Sequence, residues 1–145
     1  MTKLKRILLV EDSINDAELT LSALESINLA NKVDTVADGA LALDYIYCRG
    51  NFADRPRVNP AIILLDLKLP KVSGLEVLKE LKGDPLLKRI PVVILTSSKE
   101  EKDIIMGYDL GVNAYVVKPV EYSEFIIAIK QLGSFWAIIN EAPRD

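Results

Sequence analysis

Glu11 and Asp12 stand side by side directly after the apolar run "ILLV" (Ile7–Val10). Further along, Asp66 follows "AIILL" (Ala61–Leu65), Thr96 follows "PVVIL" (Pro91–Leu95) and Lys118 follows "AYVV" (Ala114–Val117). Two carboxylates about 4 Å apart repel by about 4 kcal/mol at an effective dielectric of about 20. Three in one cleft must either shift their pKa values or recruit a cation. The ligand atoms on offer are hard oxygens, which suit Mg²⁺ or Mn²⁺ held by a few carboxylates and several waters. With such an ion in place, Asp66 is able to attack phosphorus and form an acyl phosphate. The metal would bridge Asp66 and one phosphoryl oxygen, Lys118 would neutralise a second, and Thr96 would hydrogen-bond a third. Phosphoryl transfer needs mostly this kind of positioning and charge neutralisation.

Each part also has an ordinary explanation. Adjacent acids after a strand commonly form a solvated turn. An Asp four residues before Pro70 is common turn chemistry, and Thr96-Ser97-Ser98 would serve as a helix cap. Lys118 before Pro119 would be an exposed lysine before a turn. What these explanations leave unexplained is the joint arrangement, with each residue at the end of its own apolar run.

The elements that must position these residues alternate along the whole chain. Apolar runs at Ile7–Val10, Ala61–Leu65, Pro91–Leu95 and Ala114–Val117 read as strands, and Val33–Ala37 alternates like a strand nearer a sheet edge. Between them lie helical patterns. The first runs from Asp16 with Ala17, Leu21 and Leu24 on one stripe, and the second over Gly39–Tyr47 with Leu41, Tyr45 and Ile46 inward. The third is opened by Ser73 as N-cap with Leu75, Leu78 and Leu81 packing. "KEEKDIIMGYDL" follows as a helix with a charged outer face, and a last helix spans about Glu121 to about Asn140. Five strand–helix units in strict alternation predict an α/β fold, a five-stranded parallel sheet with helices on both faces. In such sheets function collects outside the carboxyl ends of the strands, which brings Glu11, Asp12, Asp66, Thr96 and Lys118 to one rim.

Composition narrows the function classes. A chain of 145 residues, half of them hydrophobic and 27% charged, suits one globular domain over 1–145. The net charge of −3 argues against autonomous nucleic-acid binding, which normally shows a basic stripe. The apolar run after the basic start is only four residues before Glu11, too short for a secretory segment or a membrane span, so a cytoplasmic protein is expected. Cys48 is the sole cysteine, which excludes a disulfide within the chain and a thiolate metal cluster. The chain has no histidine, so neither His-based catalysis nor His metal ligation is available to it.

Over Leu4 to about Leu132 the chain resembles the receiver domain of two-component response regulators, a (βα)5 flavodoxin-like fold. The motifs that carry the resemblance are "LLVED", "LLDLKLP" with "SGLEVL" after it, "PVVILTSS" and "AYVVKP". The resemblance implies that Asp66 is the phosphoacceptor, that Asp12 binds Mg²⁺ directly and Glu11 through water, and that the Lys68 backbone carbonyl is a further ligand. It implies that Thr96 and Lys118 sense the phosphoryl group, and that Tyr115 is the aromatic switch that turns inward with the threonine. It also makes Lys118–Pro119 a cis-peptide candidate. The phosphoryl donor in such systems is a phosphohistidine, which this chain cannot supply. A sensor histidine kinase or phosphotransfer protein is therefore the expected partner, and the chain is expected to be a switch rather than an enzyme with turnover.

Two features resemble the single-domain regulators that partner bacterial phytochromes and similar kinases. The loop "CRGNFADRPRVNP" before the third strand is long, and the tail from 133 to 145 extends the last helix with Phe135, Trp136, Ile138 and Ile139. Those apolar tail residues suggest a homodimer interface or a kinase-docking surface, against the alternative of packing on their own domain. With no output domain after Asp145, the signal is expected to leave by protein contact or onward phosphotransfer through the fourth helix, fifth strand and fifth helix. Lys68, two residues past Asp66, suggests shielding of the acyl phosphate and slow self-dephosphorylation, while the small Ser98 leaves the opposite side open. Two rival classes fit less well. A haloacid-dehalogenase-like phosphatase needs a second Asp where Lys68 stands. A flavin-binding module needs a Ser/Thr/Gly-rich phosphate loop where "EDSIND" stands.

Overall fold

The computed structural model of the chain describes residues 6–25, 32–97, 100–112, 114–118 and 123. Five strands form one parallel sheet: β1 (Ile7–Val10), β2 (Val33–Val36), β3 (Ile62–Leu65), β4 (Val92–Thr96) and β5 (Ala114–Val117), in the order β2-β1-β3-β4-β5. The three inner strands are buried at every position, whereas the outer strands β2 and β5 are only partly covered. That is why β1, β3 and β4 are unbroken aliphatic runs: both of their faces lie under other elements.

The core divides by side-chain alternation. Ile7, Leu9, Ile62, Leu64, Val93 and Leu95 point to one face and pack with Ala17, Ala23 and Leu24 of helix α1 (Ile14–Glu25). Leu8, Val10, Ile63, Leu65, Val92 and Ile94 point to the other. There they meet helix α2 (Gly39–Tyr47) through Leu43, Tyr45 and Ile46, and helix α3 (Gly74–Gly83) through Val77, Leu78 and Leu81. Helices thus cover both faces, as the alternating pattern predicts. Helix α4 (Glu101–Asp109) precedes β5. All of the expected last helix but Ser123, together with Pro119 and the tail residues Phe135, Trp136, Ile138 and Ile139, lies outside the described residues.

The caps follow from local chemistry. Ser13 Oγ accepts the Asp16 amide at 3.2 Å, so α1 begins at Ile14, two residues earlier than its apolar stripe suggests. Its buried face includes Thr20, whose hydroxyl donates to the Asp16 carbonyl at 3.0 Å, while Leu21 is only partly buried. A polar residue is tolerated there because the helix itself satisfies it. Asp38 caps α2 through the Leu41 amide at 2.7 Å, and Ser73 caps α3 through the Glu76 amide at 3.3 Å, as its position predicts. Leu41 packs only partly against the core, so the second helix turns Leu43 rather than Leu41 fully inward. Strand β4 starts one residue later than expected and ends on Thr96. Pro91 has no amide to donate, although its carbonyl still accepts the Ile63 amide at 2.9 Å.

The long segment after α2 is tied down rather than loose. Arg55 stacks over the Tyr45 ring at 4.0 Å and donates to the carbonyls of Tyr45 and Val58 at 2.9 and 3.0 Å. Phe52 meets the same ring edge-on at 5.3 Å, and the Tyr45 hydroxyl donates to Asp34 on β2 at 2.5 Å. Burial and that carboxylate both push the Tyr45 phenol pKa upward, so the ring stays a neutral donor.

Candidate functional site

The carboxyl-terminal rim is assembled by hydrogen bonds that run just past the strands. The Glu11 amide donates to the Val36 carbonyl at 3.0 Å, the Asp66 amide to Val10 at 3.1 Å and the Lys118 amide to Thr96 at 2.8 Å. Because β1 and β3 are neighbours in the sheet, these bonds set Glu11 beside Asp66. The turn after β3 then folds tightly back. Gly74, the first residue of α3, lies so close that a Cβ there would stand 2.1 Å from the Asp66 carbonyl oxygen. Its amide donates to the Leu67 carbonyl at 2.9 Å. Only glycine permits this approach, and it draws the α3 N-terminus up against the acid.

Glu11 and Asp66 are buried, at 4% and 6% exposure, and Asp12 is exposed. One carboxylate oxygen from each of the three lies within 4.8 Å of the other two. This is the trio expected at the rim, and its donor set of hard oxygens fits a small divalent cation with open positions for water. Lys118 reaches into the same place. Its Nζ donates to Glu11 Oε1 in a short bond, and to Asp66 Oδ2 and Asp16 Oδ2 at 3.0 Å each. The second oxygen of Glu11 accepts the Ser13 amide, and Asp66 Oδ1 accepts the Lys68 amide, each at 3.2 Å.

The charges respond to this geometry. Burial is the largest influence on Glu11 and pushes its pKa up to about 7, against the opposing pull of the Lys118 ammonium and the Ser13 amide. Burial alone would lower the pKa of Lys118, but Glu11, Asp66 and Asp16 together outweigh it and hold the pKa above the usual lysine range. A charged lysine held by three acids, Glu11, Asp16 and Asp66, makes the cleft ready for an anion that arrives with a cation.

Thr96 is fully buried at the end of β4. Tyr115 is half-buried on β5, in register with Ile94 of β4, and packs against the α2–α3 side of the core. The Lys68 side chain is exposed at the rim. Glu11, Asp12, Asp66 and Lys118 therefore come together as read from the sequence, with Thr96 on the neighbouring strand end. Asp16 is the addition. It stands in the first turn of α1 as the third acid of "EDSIND", and that density of acids beside the rim was the available signal.

The model of the response regulator receiver domain family matches residues 7–130. Among curated proteins, the response regulator Rcp1 of Synechocystis sp. is 42% identical over 132 residues, 91% of this chain and 88% of its own. Among solved structures, the bacteriophytochrome response regulator RtBRR superposes with a TM-score of 0.86 at 60% identity, over 97% of this chain and 85% of that one. A Mn²⁺-bound form of Rcp1 is similar with a TM-score of 0.75 at 38% identity, over 97% of each chain. The phosphorylated cyanobacterial phytochrome response regulator RcpA is similar with a TM-score of 0.77 at 40% identity, over 98% of each.

Proposed function

This chain belongs to the response regulator receiver domain family, and on that premise we propose that Asp66 accepts a phosphoryl group from a partner's phosphohistidine with Mg²⁺ or Mn²⁺ bound beside it. One observation carries the assignment. Asp66 is the buried carboxylate that Glu11, Asp12 and Lys118 all surround, with the Lys68 amide on its other oxygen. In the transfer, an Asp66 oxygen forms the new O–P bond as the histidine N–P bond breaks, and the imidazole leaves with the electron pair and takes up a proton. A cation at the trio would supply charge neutralisation for the phosphoryl oxygens. Asp12 and Asp66 would hold it directly, with Glu11 through water and the Lys68 carbonyl completing the protein ligands. Lys118 neutralises a second phosphoryl oxygen, and Thr96 hydrogen-bonds a third.

The partner is a sensor histidine kinase or phosphotransfer protein. The similarity to the bacteriophytochrome response regulator RtBRR and the phytochrome response regulator RcpA supports a kinase of the phytochrome class. The output is a two-state shift. The phosphoryl group draws Thr96 inward, Tyr115 follows, and the surface around α4 and β5 changes for a protein target or for onward transfer. The chain acts as one receiver domain and as a phosphorylated switch without substrate turnover, in the cytoplasm. Among the described residues no helix is long and apolar enough to cross a membrane.

Intact mass after incubation with acetyl phosphate, with and without Mg²⁺, tests the assignment. Wild type should gain one phosphoryl group only with Mg²⁺, and Asp66→Asn should gain none. Equal labelling of Asp66→Asn, or none from a phosphorylated kinase either, would remove Asp66 from this role.

A further inference from the structure

Lys118 has three N–H donors, and the structure gives each of them a carboxylate: Glu11, Asp66 and Asp16. Two of these acids belong to the trio that would hold a cation, but Asp16 does not. The distinction matters once the site is in use. A divalent ion would draw on an oxygen of Asp66 directly and on Glu11 through water, and phosphorylation would turn one Asp66 oxygen into an acyl-phosphate linkage. Both changes weaken the hold of those two groups on the ammonium. Asp16 is the partner that neither change consumes.

Its own position is well defined. The Asp16 amide is capped by Ser13 Oγ at 3.2 Å, and its carbonyl accepts the Thr20 hydroxyl at 3.0 Å, so the backbone is tied within the first turn of α1. Asp16 is 102 residues from Lys118 in sequence, and its side chain is 38% exposed beside the 10% exposed lysine. One face of this ion pair is therefore wet, which makes it an adjustable tether rather than a fixed internal salt bridge.

We propose that Asp16 is a positioning residue for Lys118: it keeps the ammonium aimed at the phosphoryl group after the cation and the acyl phosphate engage Glu11 and Asp66. The proposal rests on the phosphoacceptor reading of Asp66. Without the tether the lysine is free to swing toward solvent or to compete with the cation for Glu11, and both slow the transfer.

The test is a double-mutant cycle on the rate of Mg²⁺-dependent phosphorylation by acetyl phosphate, using wild type, Asp16→Asn, Lys118→Met and the double variant. Asp16→Asn should slow phosphorylation by about tenfold, the scale of one charge-assisted hydrogen bond lost at the reacting group. In the Lys118→Met background the same change should have almost no further effect, because the group it acts through is gone. An acid that merely stabilises the first turn of α1 would cost the same in both backgrounds, and that result, or an unchanged rate in Asp16→Asn, overturns the proposal. A wild type that takes up no phosphate from acetyl phosphate or from a phosphorylated kinase tells against the Asp66 reading instead. The tether is then judged by the ¹⁵N signal of the Lys118 ammonium. That signal should broaden through faster hydrogen exchange in Asp16→Asn, and an unaltered signal sinks the proposal.

Discussion

Lys118 and the acids around it show how one rim reconciles two demands. Burial raises the cost of charge on Glu11, while the lysine keeps its own charge because three carboxylates face it. Neither group is comfortable alone, and the cluster holds because each acid shares the ammonium. The exposed Lys68 side chain belongs to the same scale. Its amide is fixed on Asp66, so its long side chain starts at the edge of the phosphoacceptor and is able to cover it. Lys68→Asn should therefore hydrolyse the acyl phosphate about threefold faster, since a shorter side chain admits water more readily. Decay of the phosphorylated mass after removal of the donor measures this, and a decay no faster than wild type would count against shielding.

Elements place those residues through a few tight contacts. The short turn from β3 into α3 is the clearest case, because the Gly74 backbone lies against that of Asp66. Gly74→Ala forces either α3 or the Asp66 carbonyl to move, at a cost of about 1–3 kcal/mol as in other overpacked sites. The denaturation midpoint should fall accordingly, and phosphorylation should slow even in protein that remains folded. A midpoint and rate equal to wild type would show that the turn is looser than its geometry indicates. The sequence indicated Ser73 as the start of α3, since a hydroxyl before an amphipathic run is a local signal. The closeness of Gly74 to Asp66 is a non-local contact, and no local pattern reveals it. The segment after α2 divides in the same way. Its Gly and Pro content marked it as a loop, but the Arg55 stacking and the edge-on Phe52 contact need a Tyr45 ring that is also held by Asp34 of β2.

Over the whole molecule, a cation held at the rim would link metal binding to folding. An ion that binds the folded trio and not the unfolded chain stabilises the fold, by about 2.7 kcal/mol when present at about a hundred times its dissociation constant. Added Mg²⁺ should raise the thermal midpoint of wild type, EDTA should reverse the gain, and Asp12→Ala should abolish it, because the exposed acid would supply ligation and has little structural role. A midpoint indifferent to Mg²⁺ would argue against a cation at this rim. Association is the second proposal at this scale. The tail residues Phe135, Trp136 and Ile139 are proposed to join two copies, and α4 independently exposes Ile105, Met106 and Tyr108. Sedimentation velocity should show a dimer that Trp136→Ala shifts toward monomer. A strict monomer in both would exclude this use of the tail.

What the sequence determined by itself was everything that depends on neighbours along the chain. Period and run length identified five strands and the helices between them, and the residue after each apolar run supplied the acids, the threonine and the lysine. Those signals are short-range, because a strand buried on both faces must be apolar throughout and polar chemistry begins where burial ends. The tertiary structure decided the strand order, and with it the pairwise contacts among the charges that the sequence already brought to one rim. It placed Glu11 under cover while leaving Asp12 in water, and it closed the α3 turn over Asp66. It also brought Asp16 to Lys118 across 102 residues. The reason is physical: an ion pair between α1 and the end of β5 forms only after the sheet has ordered its strands, and nothing in the local sequence encodes that distance.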